Sequence, residues 1–181
     1  MYELLEKYMR SGSLIAVYSD RNNYESFAVG YVYKICEGKV MILNVGVHGE
    51  FDGYSVCFID DIFRLEENSK YLQKINKLKD WDISNVLKID TEGELFKAVI
   101  ETALKYKKII AIDCCDSEFE VRGYVNEMSD TIVRLMQITE YGEEDGETMI
   151  RIDDINKIMI ADVECMEIDK LNSLNCSSDR Y

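Results

Sequence analysis

The sequence predicts a mainly β protein with flanking helices, arranged as two tandem five-stranded barrels, each preceded by an α-helix. Three observations predict it. They are an internal repeat with an offset of 93 residues, strand-type patterning inside each copy, and an acidic, glycine-containing turn at the same point of both.

The repeat is read residue by residue. "FIDDIFRL" (58–65) is echoed by "RIDDINKI" (151–158), which sets Asp60 and Asp153 93 positions apart. At that offset "AVGYVYKI" (28–35) aligns with "VRGYVNEM" (121–128), pairing Gly30 with Gly123 and Tyr31 with Tyr124. "KVMILNV" (39–45) matches "TIVRLMQ" (131–137), and "LIAV" (14–17) matches "IIAI" (109–112) after a gap of two. The shared order predicts a duplication covering most of the chain. Residues 1–80 would hold the first helix and barrel, and residues 81–181 a linker, the second helix and the second barrel.

Within each copy the patterning is β. Val29, Tyr31, Tyr33 and Ile35 alternate with Gly30, Val32 and Lys34, and residues 132–138 are rich in β-branched side chains. Asp52-Gly53 and Asp145-Gly146 read as hairpin turns, because glycine tolerates the positive φ such turns need. The expected strands are 14–19, 27–35, 39–46, 54–59 and 62–66, then 109–114, 119–128, 131–139, 147–152 and 156–161. Short, bent strands in these numbers fit a small closed barrel, which removes unpaired edges. "IDDI" is expected to turn the corner between strands four and five as one 3₁₀ turn. Asp60 and Asp153 would cap its free N–H groups, with Ile59, Ile62, Ile152 and Ile155 pointing into the core.

The helices follow from apolar spacing. Thr91 and Glu94 read as a capping box ahead of Leu95, Phe96, Val99, Ile100, Ala103 and Leu104. "YELLEKYM" is the shorter counterpart in the first copy. Tyr71, Leu72, Ile75 and Leu78 predict a helix after the first barrel with Ser69 as its cap, and residues 163–174 are a weaker version of it. Residues 79–90 form the linker, with room for an extra strand.

A helix, five short strands, a glycine in the second strand and a short turn before the fifth resemble the Sm-like barrel, the family of Sm proteins and bacterial Hfq. "RGYVNEMSDTIVRL" (122–135) looks like the family's first motif, in which a glycine lets strand two bend and an acidic residue, here Asp130, opens the turn before strand three. "MIRIDDINKI" (149–158) stands where the second motif falls. RNA-binding members carry an Asn near the third-strand turn and an Arg-Gly or Lys-His pair in the second motif. This chain has Asp60-Asp61 and Asp153-Asp154 at the latter place. The resemblance therefore implies the fold more than the RNA pocket.

Composition narrows the function classes. With 47% apolar and 31% charged residues, a packed core is expected and disorder is not. The net charge of −14 is uneven: residues 1–80 carry 10 Lys/Arg against 12 Asp/Glu, and residues 81–181 carry 11 against 23. So acidic a second half repels phosphate backbones, whose binding rests on Lys/Arg contacts. No apolar run reaches the roughly 18 residues of a membrane span, and "MYELLEKYMR" does not read as a secretory signal. The six cysteines (Cys36, Cys57, Cys114, Cys115, Cys165 and Cys176) have no CxxC spacing. They are expected as reduced thiols of a cytoplasmic protein, mostly packed as small apolar groups.

No catalytic, cofactor-binding or metal residue is predicted, and no cofactor. His48 reads as a solvated loop residue without a second His or ordered Cys near it. Cys114-Cys115 lacks the basic neighbours that activate a redox pair. The acidic stretch "EYGEEDGE" (140–147) lacks the alternate carboxylates of a calcium loop. Tyr31 and Tyr124 are expected to pack the barrel rather than stack bases. Lys70, Lys74, Lys77 and Lys79 read as one solvated helix face. The expectation is a non-catalytic protein-interaction or scaffold module, with a protein partner or self-association through barrel edges. The alternative is an RNA-binding protein that uses the less acidic first barrel. An enzyme would need a clustered pocket that no motif announces.

Overall fold

In the first unit, Met1–Lys88, helix α1 (Tyr2–Ser11) leads into strands β1 (Ile15–Tyr18), β2 (Ala28–Cys36), β3 (Lys39–Val45) and β4 (Phe51–Phe58). A 3₁₀ turn (Ile59–Asp61), β5 (Arg64–Glu67) and α2 (Lys70–Leu78) complete it. The structure is a computed structural model and describes residues 1–114 and 120–178.

Strand β1 explains the architecture. Its residues Ile15, Ala16, Val17 and Tyr18 are all buried. Side chains alternate across a strand, so two go to each face. Ile15 and Val17 pack with Leu5 and Tyr8 of α1, while Ala16 and Tyr18 pack with Leu72 and Ile75 of α2. Helices thus cover both faces of the sheet.

The strand order is β5-β1-β2-β3-β4, antiparallel throughout. This corrects the barrel expectation. β5 pairs with β1, from Tyr18↔Arg64 to Ile15↔Glu67, and not with β4, so the sheet stays open. A closed barrel has one solvated outer face, whereas two helices here bury both faces of the sheet. Five residues join β4 to β5, and three of them are wound into the 3₁₀ turn, so the two edge strands are held near each other without zipping shut.

The second unit, Ile89–Tyr181, is built from the same sequence of elements. They are α3 (Leu95–Tyr106), β6 (Ile109–Cys114), β7 (Glu120–Met128), β8 (Ile132–Ile138), β9 (Glu144–Arg151), a 3₁₀ turn (Ile152–Asp154), β10 (Ile155–Ile160) and α4 (Val163–Ser178). Its order, β10-β6-β7-β8-β9, is open as well. Each unit is therefore an open antiparallel sheet with two helices, and two closed five-stranded barrels are not formed. Helix α4 is longer than expected, and its Cys165 and Ile168 pack on Ile109, Ala111 and Ile138.

Registers correspond between the units. Gly30 lies opposite Asn44, and Gly123 opposite Gln137. A Cβ on Gly30 would stand 2.4 Å from the Leu43 carbonyl oxygen, and one on Gly123 2.1 Å from that of Met136. Only glycine lets the neighbouring backbone come so close.

Three local expectations change. The hairpin turns lie at 46–50 and 139–143, where Gly46 and Thr139 N–H groups bond to the Glu50 and Glu143 carbonyls. Asp52-Gly53 sits inside β4 as a bulge, two residues against Asn44, and Asp145-Gly146 repeats it against Gln137. Positive φ is still needed there, 69° at Gly53 and 80° at Gly146, but to bend a strand rather than reverse it. Next, α3 is capped by Glu94, whose carboxylate accepts from the Phe96 and Lys97 N–H groups, and Thr91 takes no part in that cap. Finally, the linker holds a 3₁₀ turn (Ile83–Asn85) and no strand. Ser69 caps α2 as expected, accepting from the Leu72 N–H.

The repeated "IDDI" does form the two 3₁₀ corners, but its aspartates do not cap them. Each corner closes by backbone, Ile62 N–H to the Ile59 carbonyl and Ile155 N–H to that of Ile152. The four isoleucines are each no more than 5% exposed. Partial burial raises the Asp61 pKa, with Arg21 pulling the other way and the neighbouring Asp60 adding to the rise.

Candidate functional site

Five aromatic rings meet at one corner of the first unit. Tyr18 ends β1, Tyr24 and Phe27 come from the loop before β2, Phe63 precedes β5, and Tyr71 lies in the first turn of α2. Centroids are 5.0 Å apart for Tyr18–Phe27, 5.7 Å for Phe27–Tyr71, 6.3 Å for Tyr18–Phe63 and 5.4 Å for Tyr24–Phe63. Such separations suit edge-on and tilted ring contacts. Tyr18 is buried and anchors the set, while Tyr24 is 65% exposed, Phe27 39% and Tyr71 38%. Arg64 lies over the Tyr18 ring at 4.5 Å and Arg21 is 6.0 Å from the Phe63 centroid. Burial raises the pKa of the Tyr18 hydroxyl, and the nearby Glu66 adds to it. The result is an exposed aromatic ladder edged by two guanidinium groups.

Among the described residues, the matching corner of the second unit is ionic. Register places Asp113 where Tyr18 stands, because Asp113 pairs with Lys157 as Tyr18 pairs with Arg64. By the same correspondence Glu120 replaces Phe27, Asn156 replaces Phe63 and Glu164 replaces Tyr71. Arg122 bridges the Glu120 and Glu164 carboxylates. Burial pushes the Glu120 carboxyl up, opposed by its bond to Arg122. Burial works against the Arg122 charge, but its bonds to Glu164 and Glu120 outweigh this and hold its pKa up.

The ring ladder is what sequence reasoning missed. Its signal lies in the repeat itself, at the positions where the two copies disagree. Aligning for identity draws the eye to Gly-Tyr-Val and Ile-Asp-Asp-Ile and away from Phe27/Glu120 and Tyr71/Glu164.

Other singled-out residues are placed plainly. Tyr31 and Tyr124 are half-buried and reach across to the following helix, Tyr31 OH donating to Asn76 Oδ1 at 3.1 Å and Tyr124 OH to Asp169 Oδ1 at 2.6 Å. His48 is exposed in the 46–50 turn, its backbone N–H bonded to Glu50. Lys70, Lys74 and Lys77 are exposed on α2, and Lys79 lies over the Trp81 ring at 4.3 Å. Cys57 and Cys165 are buried, and none of the five described cysteines forms a disulfide. Cys114 ends β6, and Cys115, the other half of the adjacent pair, lies outside the described residues. Of the acidic stretch 140–147, the first residues make the turn and Glu144, Asp145 and Glu147 lie in β9. Among the described residues no three His, Cys, Asp or Glu side chains come together to hold a metal ion. No helix among the described residues is long and apolar enough to cross a membrane.

No protein-family model matches this sequence, and neither a curated protein nor a solved structure matches it significantly.

Proposed function

We propose that this chain is a non-catalytic protein-interaction module whose contact surface is the aromatic corner of the first unit. One observation carries the reading: Tyr24, Phe27 and Tyr71 are exposed along one chain of ring contacts that runs through Phe63 and the buried Tyr18, whereas the described residues at the corresponding corner of the second unit are joined by ion pairs. Contiguous exposed aromatic groups with arginine nearby are the composition of interaction hot spots. The partner segment would lay apolar side chains on the rings and set an acidic group towards Arg21. The second unit is the structural half, related to the first by duplication and retuned from aromatic to ionic at the described part of this corner.

The sheet edges are the less suitable surface for assembly. β9 pairs with β8 alone among the described residues and carries Glu144, Asp145, Glu147 and Arg151, and β5 is four residues long with Arg64, Glu66 and Glu67. Charge and brevity are how natural edges resist further pairing.

RNA binding is the second reading, favoured by the same rings together with Arg21, Arg64 and the lysine face of α2. Against it stand Asp20, Glu25, Asp60, Asp61 and Glu66 in the neighbouring segments, and a first half that is net acidic. A fluorescence-anisotropy titration with U-rich and A-rich RNA at about 150 mM salt separates the two. No sub-micromolar binding is expected. Sub-micromolar binding that disappears on replacing Tyr24 and Phe27 with serine would transfer the corner to RNA.

A further inference from the structure

Between α1, β2 and α2 of the first unit lies a cavity of about 220 Å³, lined by Ser13, Leu14, Tyr31, Leu72, Gln73 and Asn76 among others. Its polar lining consists of hydroxyls and amides, with no charged side chain.

The second unit shows what this space holds when it is filled. Gly12 and Lys107 are the left-handed C-caps of α1 and α3, so Ser13 corresponds to Lys108. Ser69 caps α2 by accepting from the Leu72 N–H, and Asp162 does the same for Cys165 in α4, so Asn76 corresponds to Asp169. There Lys108 Nζ reaches Asp169 Oδ2 at 3.3 Å, and Tyr124 OH donates to Asp169 Oδ1 at 2.6 Å. In the first unit the tyrosine bond persists, Tyr31 OH to Asn76 Oδ1 at 3.1 Å, but the lysine is replaced by a serine. The volume that a four-carbon stem and its ammonium would occupy is left open.

We infer that this cavity binds a primary ammonium group on a short alkyl stem, the chemistry of a lysine side chain. Three oxygens keep acceptor capacity for its three N–H bonds. Tyr31 Oη spends its hydrogen on Asn76, Asn76 Oδ1 spends one of two lone pairs, and Ser13 Oγ shares a single bond with Ser11. Leu14 and Leu72 supply apolar wall for the stem. The acceptors are neutral, and Lys79 Nζ sits 5.1 Å from the Tyr31 centroid, so the affinity is weak, with Kd on the order of 1 mM for a ligand this small. The cavity shares no lining residue with the aromatic corner, so failure at one leaves the other standing.

The test is an NMR titration of the full chain with n-butylammonium, with Nα-acetyl-lysine methylamide and with n-butanol as a neutral control of the same shape. Saturable shifts of the Tyr31, Asn68 and Asn76 resonances are expected with both amines and not with the alcohol. Ser13→Lys with Asn76→Asp, which installs the second unit's own ion pair, is expected to fold and to weaken the response at least tenfold. Ser13→Met, filling the space without charge, gives a second route to the same loss. Tighter saturation by the lysine derivative would assign the site to a partner's side chain, and equal saturation to free amines. Equal response to the alcohol, no saturable shift, or unchanged binding in both filled variants would overturn the assignment.

Discussion

Gly123→Ala is expected to destabilise the second unit severely, by about 3 kcal/mol or more, the upper end of what overpacking costs. The added methyl would stand 2.1 Å from the Met136 oxygen and 2.8 Å from its carbonyl carbon, which are backbone atoms held in the β7–β8 ladder. Neither can move without breaking pairings on both sides of the strand. Gly30→Ala should cost a comparable amount, because its methyl would stand 2.4 Å from the Leu43 oxygen and 2.5 Å from Cγ2 of the buried, β-branched Ile42. Chemical denaturation followed by far-ultraviolet circular dichroism reads both. A loss below about 1 kcal/mol for Gly123→Ala would show that β7 and β8 have room the structure does not give them.

The second large effect divides the "IDDI" corner between its two residue types. Ile59→Ala and Ile152→Ala are each expected to cost about 2–5 kcal/mol, the usual range for emptying a filled core position. Asp60→Ala and Asp153→Ala are expected to stay within about 0.5 kcal/mol, as exposed substitutions do, since neither aspartate caps its 3₁₀ turn. The corner is thus written twice for its isoleucines. Thermal unfolding of the four variants checks this. An aspartate variant as damaging as its isoleucine neighbour would restore a capping role.

Much of this was legible in the sequence. Strand positions followed from β-branched and alternating residues, and β2, β3, β6 and β8 begin and end within a residue or so of the expected limits. The open sheet was also written there, though less visibly. "LIAV" and "IIAI" are apolar at every position, and a strand of that kind is buried on both faces, whereas a barrel strand alternates. Helix α4 is less legible in the sequence because Val163, Met166, Leu171 and Leu174 are apolar yet exposed, opposite buried Cys165 and Ile168, which blurs its periodicity. Asp-Gly marks positive φ, and sequence alone does not say whether that φ reverses a hairpin or bulges a strand. The aromatic corner needed tertiary structure. Tyr18, Tyr24, Phe27, Phe63 and Tyr71 are up to 53 positions apart, and only the pairing of β1 with β2 and β5, with α2 across the face, brings them together.

Site-specific photo-cross-linking tests the contact surface most directly. A benzophenone side chain placed at Tyr24, and in a control at Glu147 of β9, would be irradiated in native lysate before and after nuclease treatment. A discrete protein adduct is expected at position 24, unaffected by nuclease, absent at position 147, and lost when Phe27→Ser and Tyr71→Ser are added to a chain that still folds. An adduct that nuclease removes, or one formed equally at position 147, would contradict the account.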